Sequence, residues 1–126
     1  MQLQTRPNGI ALSPDGSTLY LSNSDERNVR AYDVSKDGAL SNERIFVART
    51  DGVPAGIEVD EKGNVYVAAA EIGVFTDKGQ SLAVIHLAEK PSNMVFGDGD
   101  LQSLYVTARS TLYRVKFDNV KGVSLY

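Results

Sequence analysis

Arg6-Pro7-Asn8-Gly9-Ile10-Ala11-Leu12 is echoed by Val53-Pro54-Ala55-Gly56-Ile57-Glu58-Val59 and again by Lys90-Pro91-Ser92-Asn93-Met94-Val95-Phe96. Each phrase runs into a turn and then a second strand carrying a tyrosine. These are Leu19-Tyr20-Leu21-Ser22, Val65-Tyr66-Val67-Ala68 and Leu104-Tyr105-Val106-Thr107. A unit of short strands repeated about every 40 residues is the mark of a β-propeller blade. The sequence therefore predicts an all-β chain of three propeller blades, half of a six-bladed ring. It reads as a single domain over residues 1–126, with blades at approximately 6–48, 53–88 and 90–126.

Working outward from the phrases, the first blade parses as Gly9–Ser13, Thr18–Ser22, Asn28–Val34 and Arg44–Ala48. Along Asn28–Val34, alternation puts Val29, Ala31 and Asp33 on one side and Arg30, Tyr32 and Val34 on the other. The second blade parses as Gly56–Val59, Asn64–Ala69, Gly73–Thr76 and Leu82–Leu87. The third gives Asn93–Phe96, Ser103–Ala108 and Thr111–Phe117, with a weak last strand over Val123–Tyr126. No segment reads as a convincing helix. The inner strands Ile10-Ala11-Leu12 and Met94-Val95-Phe96 are apolar on both faces, as suits a strand sandwiched between neighbouring blades.

A ring needs roughly 4–8 blades. A row of three leaves an apolar sheet face uncovered at each end, and such patches mark interfaces. Two copies related by a two-fold axis would cover both ends, so a homodimer closing a six-bladed ring is the expected partner. A piece of a longer protein is the other reading.

Composition narrows the function. The chain has 126 residues, a net charge of −3 and scattered basic residues, without the basic patch that nucleic-acid binding requires. It has no cysteine, which removes disulfides and thiolate metal sites. It has one histidine, His86, which removes multi-histidine metal sites. No signal-peptide h-region opens the sequence and no apolar run approaches the ~20 residues of a membrane span. A cytoplasmic protein with no membrane or nucleic-acid partner is the expectation.

The three phrases, with Ser13-Pro14-Asp15-Gly16, Gly63-Asn64-Val65-Tyr66 and Leu104-Tyr105-Val106-Thr107-Ala108, resemble the senescence-marker-protein/gluconolactonase family, which includes regucalcin. The resemblance covers essentially the whole chain and is to the C-terminal half of that family. It implies a metal-dependent lactonase using calcium or zinc at the mouth of the central channel, acting on a small-molecule lactone or sugar acid. The implied ligands are a Glu from the N-terminal half, the Asn of the Pro-Asn-Gly phrase, and an Asp in the later phrase. Hard cations take oxygen ligands, the metal polarises the lactone carbonyl, and the Asp helps to take the proton of water.

Carried over position by position, Asn8 is the candidate metal ligand and Ala55 stands where the Asp belongs. A methyl group neither binds metal nor accepts a proton. Catalytic residues are therefore read as none, and the chain as a weak or inactive lactonase by itself. Asp51 lies four residues before Ala55 and would need a different loop path to replace it. Asn93 is one position later in its repeat than Asn8 and so points to the other face of its strand. Asp15, Asp60 and Asp77 each belong to a hairpin turn that also holds a glycine, and read as turn chemistry. Asp98 and Asp100 flank Gly99 with no Glu at loop position 12, so a solvated loop is expected rather than a calcium loop. His86 reads as a structural residue of an outer strand. Ser13, Ser22, Ser24 and Ser110 have no nucleophile-elbow context. Glu71 and Arg109 follow second strands, where loops reach a channel mouth, and read as solvated loop ends. Three functions stay open: a lactonase-derived chain, a non-catalytic half-propeller that dimerises as a binding module, and a truncated or engineered fragment.

Overall fold

The computed structural model describes residues 6–124. Within them the chain is all β. The first sheet holds β1 (Pro7–Leu12), β2 (Thr18–Asn23), β3 (Asn28–Val34) and β4 (Leu40–Val47). The second holds β5 (Ile57–Val59), β6 (Val65–Ala68), β7 (Ile72–Phe75) and β8 (Ser81–Ile85), and the third holds β9 (Pro91–Gly97), β10 (Ser103–Ala108) and β11 (Thr111–Lys116). Within each sheet the strands pair antiparallel in chain order, so every sheet is a meander. No helix is present among the described residues, and so none is long and apolar enough to cross a membrane.

The tyrosines take the equivalent places that the repeat predicts. Tyr20 lies opposite Ala11, Tyr66 opposite Glu58 and Tyr105 opposite Val95, each on the second strand of its sheet. Tyr20 and Tyr66 face the sheet that follows, and Tyr105 faces the uncovered side of the third sheet. Two cores result. Tyr20, Val29, Ala31 and Val47 of the first sheet pack on Ile57, Val59, Val65 and Val67 of the second. On its other face the second sheet presents Tyr66, Ala68, Ile72 and Val74 to Met94, Phe96, Leu104 and Val106 of the third. Burying side chains of this size contributes about 1.5–3 kcal/mol each. Tyr66 and Phe96 meet edge-on, with ring centroids 5.4 Å apart, a geometry that adds about 0.5–1.5 kcal/mol.

The end sheets carry uncovered apolar residues. On the outward side of the first sheet Ile10 and Leu12 are 61% and 50% exposed, although Leu21 and Tyr32 on the same side are buried. On the outward side of the third, Val95 and Leu112 are 54% and 67% exposed.

Several boundaries differ from the sequence reading. β4 begins at Leu40, four residues before the expected Arg44, because its register shifts against β3 and Asn42 takes a left-handed conformation (φ 52°). The last strand does not form at Val123 or Ser124, and Leu125 and Tyr126 lie outside the described residues. Gly122 instead makes an isolated bridge with Asp60 and lies against Phe96, where a Cβ would overlap that ring.

Candidate functional site

Antiparallel pairing brings the three proline phrases to one end of the molecule, together with the β2–β3, β6–β7 and β10–β11 connections. Pro7 lies opposite Asn23, the Ala55 N–H donates to the Ala68 carbonyl at 2.7 Å, and Pro91 lies opposite Ala108. We call this end of the molecule the mouth.

The phrases are also joined from sheet to sheet. The fully buried hydroxyl of Ser22 accepts from Gly9 N–H at 2.7 Å and donates to the Ala55 carbonyl at 2.7 Å. Ser24 donates to the Pro54 carbonyl at 3.3 Å. Between the second and third sheets, Gly56 N–H donates to the Ser92 carbonyl at 2.8 Å. The glycines permit this approach. A Cβ on Gly9 would overlap the Ala55 carbonyl oxygen, and one on Gly56 would overlap the Asn93 amide. Their role is close backbone approach, since neither has a positive φ.

Asn8 is exposed beside this junction, and Ala55, partly covered, holds the matching place on the second sheet. The donor set does not fit a divalent cation: a neutral amide and a methyl group stand where a carboxylate-rich site would be needed. Among the described residues no group of three or more histidine, cysteine, aspartate or glutamate side chains is placed to hold a metal ion. Asp51 does not replace the missing carboxylate. It lies with Glu71, Thr50 and Arg49 around a separate small recess between the first two sheets. Asn93 is exposed on β9. Its Oδ1 accepts from Met94 N–H at 2.9 Å.

The turn aspartates divide. Asp60 is fully buried, accepting from Lys62 N–H, Asn64 N–H, Asn64 Nδ2 and the Tyr66 hydroxyl at 2.9–3.1 Å. Burial, and then the Asp60 carboxylate, push the Tyr66 hydroxyl far above its ordinary range. Asp15 is an exposed turn residue, and bonds from Ser17 and then Ser13 hold its carboxyl down to about 2. Asp77 is exposed at the β7–β8 turn. Asp98 lies in an exposed loop, as the sequence suggests, and there accepts from the Tyr105 hydroxyl and pairs with Arg114, both at 2.5 Å. Asp98 (φ 68°) and Leu101 (φ 57°), not Gly99, supply the left-handed turns of that loop. Asp100 accepts from Gln102 N–H at 3.0 Å. His86 departs from expectation. β8 ends at Ile85, and the exposed imidazole pairs through Nδ1 with Glu71 Oε2 at 2.5 Å. Arg109 is an exposed residue of the tight β10–β11 turn (φ 49°).

Below the mouth, the inner strands β1, β5 and β9 line a concavity of about 1010 Å³. Here the structure brings forward a residue that sequence reading did not single out. Glu58, on the short central strand β5, lines this space. One oxygen accepts from Val59 N–H at 2.9 Å, and Phe96 N–H also donates to the carboxylate. Burial pushes the Glu58 carboxyl above the ordinary glutamate range, the two N–H groups pulling the other way. In the sequence Glu58 stands only as part of the second repeated phrase, and nothing in its spacing separates a lined concavity from open solvent.

The family model of the SMP-30/gluconolactonase/LRE-like region matches residues 1–110. The chain belongs to this family. A gluconolactonase of Zymomonas mobilis is 32% identical over 125 residues, covering 89% of this chain and 35% of the relative. Among solved structures, a gluconolactonase of Xanthomonas campestris superposes with a TM-score of 0.80 at 35% identity, over 87% of this chain and 37% of that one. A calcium-binding regucalcin of Agrobacterium tumefaciens, at 22% identity, shares the fold, with a TM-score of 0.81 over 93% of this chain and 47% of that one. The chain spans about a third of the length of the gluconolactonases and about half that of the regucalcin.

Proposed function

We propose that this chain is half of a lactonase-type channel that retains the family's Asn at position 8 and has lost the carboxylate partner at position 55. Lactone hydrolysis by this chain alone is weak or absent. The observation that carries the reading is the Ser22 bridge between Gly9 N–H and the Ala55 carbonyl. It seats the Asn8 and Ala55 phrases side by side at one mouth, and at that mouth the Ala55 methyl can neither bind a cation nor accept a proton from water. The ligand class of the reading is a small lactone or sugar acid. The test is calorimetry with Ca²⁺ and Zn²⁺, with a pH-monitored assay on gluconolactone, on the native chain and on Ala55→Asp. Stronger cation binding by the variant supports the reading. Tight binding and ready hydrolysis by the native chain oppose it.

The exposed Ile10 and Leu12 at one end and Val95 and Leu112 at the other favour a second element of the proposal. A second copy, related by a two-fold axis, covers the third sheet of one chain with the first sheet of the other. The support is the repeat itself. Tyr20 and Tyr66 are 3% exposed beneath the following sheet, whereas Tyr105, at the equivalent register, has no following sheet among the described residues. Sedimentation at micromolar concentration tests this, and a well-folded monomer opposes it.

A further inference from the structure

Glu58 is the only ionisable side chain among the described residues lining the inner-strand concavity. Its surroundings are apolar: Ala11, Ile57, Val59, Met94 and Phe96 border the same space, with Asn93 the polar neighbour on β9. Among the described residues no lysine, arginine or histidine lines the wall with it. Across the β5–β6 pair it lies opposite Tyr66, whose hydroxyl is committed to Asp60. A partly desolvated carboxylate without a counter-charge is costly, and proteins relieve that cost by pairing it. The two N–H groups that it accepts offset only part of the charge. An apolar hollow with one fixed charge is also the usual plan of a small-molecule site, the walls giving affinity and the charge giving orientation.

We propose that Glu58 makes this concavity a subsite for a small organic cation. The ammonium head of the ligand pairs with the Glu58 carboxylate, and its apolar body lies along the wall built by Ala11, Val59 and Met94. The subsite sits on the middle sheet, which its neighbours cover on both sides, so it is present in a single copy and in a closed ring alike. It does not depend on the lactonase reading, because neither Asn8 nor Ala55 takes part. The competing explanation is structural: Glu58 serves only to accept the Val59 and Phe96 N–H groups.

The test compares n-butylammonium chloride with n-butanol, a neutral ligand of the same shape, by chemical-shift titration on the native 126-residue chain and on Glu58→Gln. Glutamine keeps a backbone acceptor and removes the charge. Circular dichroism on both forms checks that they share the sheet spectrum. We expect n-butylammonium to bind the native chain at least ten-fold more tightly than n-butanol, and Glu58→Gln to abolish that preference. Equal affinities, no binding of either ligand, or a preference that survives in Glu58→Gln overturns the proposal. A native chain without a sheet spectrum overturns it too, since the concavity would not exist.

Discussion

The Ser22 hydroxyl donates to the Ala55 carbonyl at 2.7 Å across 33 residues of sequence, while accepting from Gly9 N–H at the same distance. Both partners are backbone groups of inner strands or their leads, so one side chain locks the first two sheets together at the mouth. Ser22→Ala leaves a buried N–H and a carbonyl without that partner. Such losses cost about 1–3 kcal/mol. We expect the urea midpoint to fall accordingly with the slope unchanged.

Gly9→Ala tests the same junction from the other side. Its new methyl group would overlap the Ala55 carbonyl oxygen, a backbone atom that cannot rotate away. Overpacking of this kind costs about 1–3 kcal/mol. Gly16→Ala is a useful comparison, because nothing lies within 4 Å of its added Cβ and the strain is only that of its positive φ (75°). We expect Gly9→Ala to be the more destabilising of the two in denaturant melts.

The tyrosine–aspartate pairs repeat in sequence but differ in burial. Tyr66 donates to the fully buried Asp60, whereas Tyr105 donates to the exposed Asp98. Hydrogen bonds to charged groups are worth about 1.5–3 kcal/mol when they are protected from water. Tyr66→Phe should therefore lower stability by about that amount. Tyr105→Phe should lower it by less, because water replaces the lost donor at an exposed aspartate. Parallel urea curves on the two variants check the order.

Glu58 sets a pH dependence whose sign is fixed by its raised carboxyl. A group whose folded pKa lies above its unfolded value contributes stability that is present below the unfolded value of about 4.5 and is lost as pH rises through the folded value. Glu58→Gln removes that dependence. The difference in melting temperature, variant minus native, should therefore be more positive at pH 7 than at pH 4. A flat difference would show that burial of the carboxylate has no energetic consequence.

Much of the fold was legible because the repeat is written twice over, in the proline phrases and in the tyrosines at matched register. Polar outer strands were harder. Ser41, Asn42 and Glu43 break the apolar alternation of β4, since that edge faces water and selects no hydrophobic residues there. His86 was read into an apolar run, but β8 ends at Ile85 and the exposed imidazole lies against Glu71. The Asn8–Ala55 relation was legible because both belong to the repeated phrase. Glu58 was not, since its position inside a concavity is made by β1 and β9, which are distant in sequence.

The absence of a carboxylate at position 55 is best tested by calorimetric titration of Ca²⁺ into the native chain and into Ala55→Asp under identical conditions. We expect little heat from the native chain and a measurable gain in affinity in the variant, since one negatively charged oxygen donor then joins Asn8 at the mouth. Tight Ca²⁺ binding by the native chain, unchanged by Ala55→Asp, would contradict the assignment of position 55 as the missing ligand.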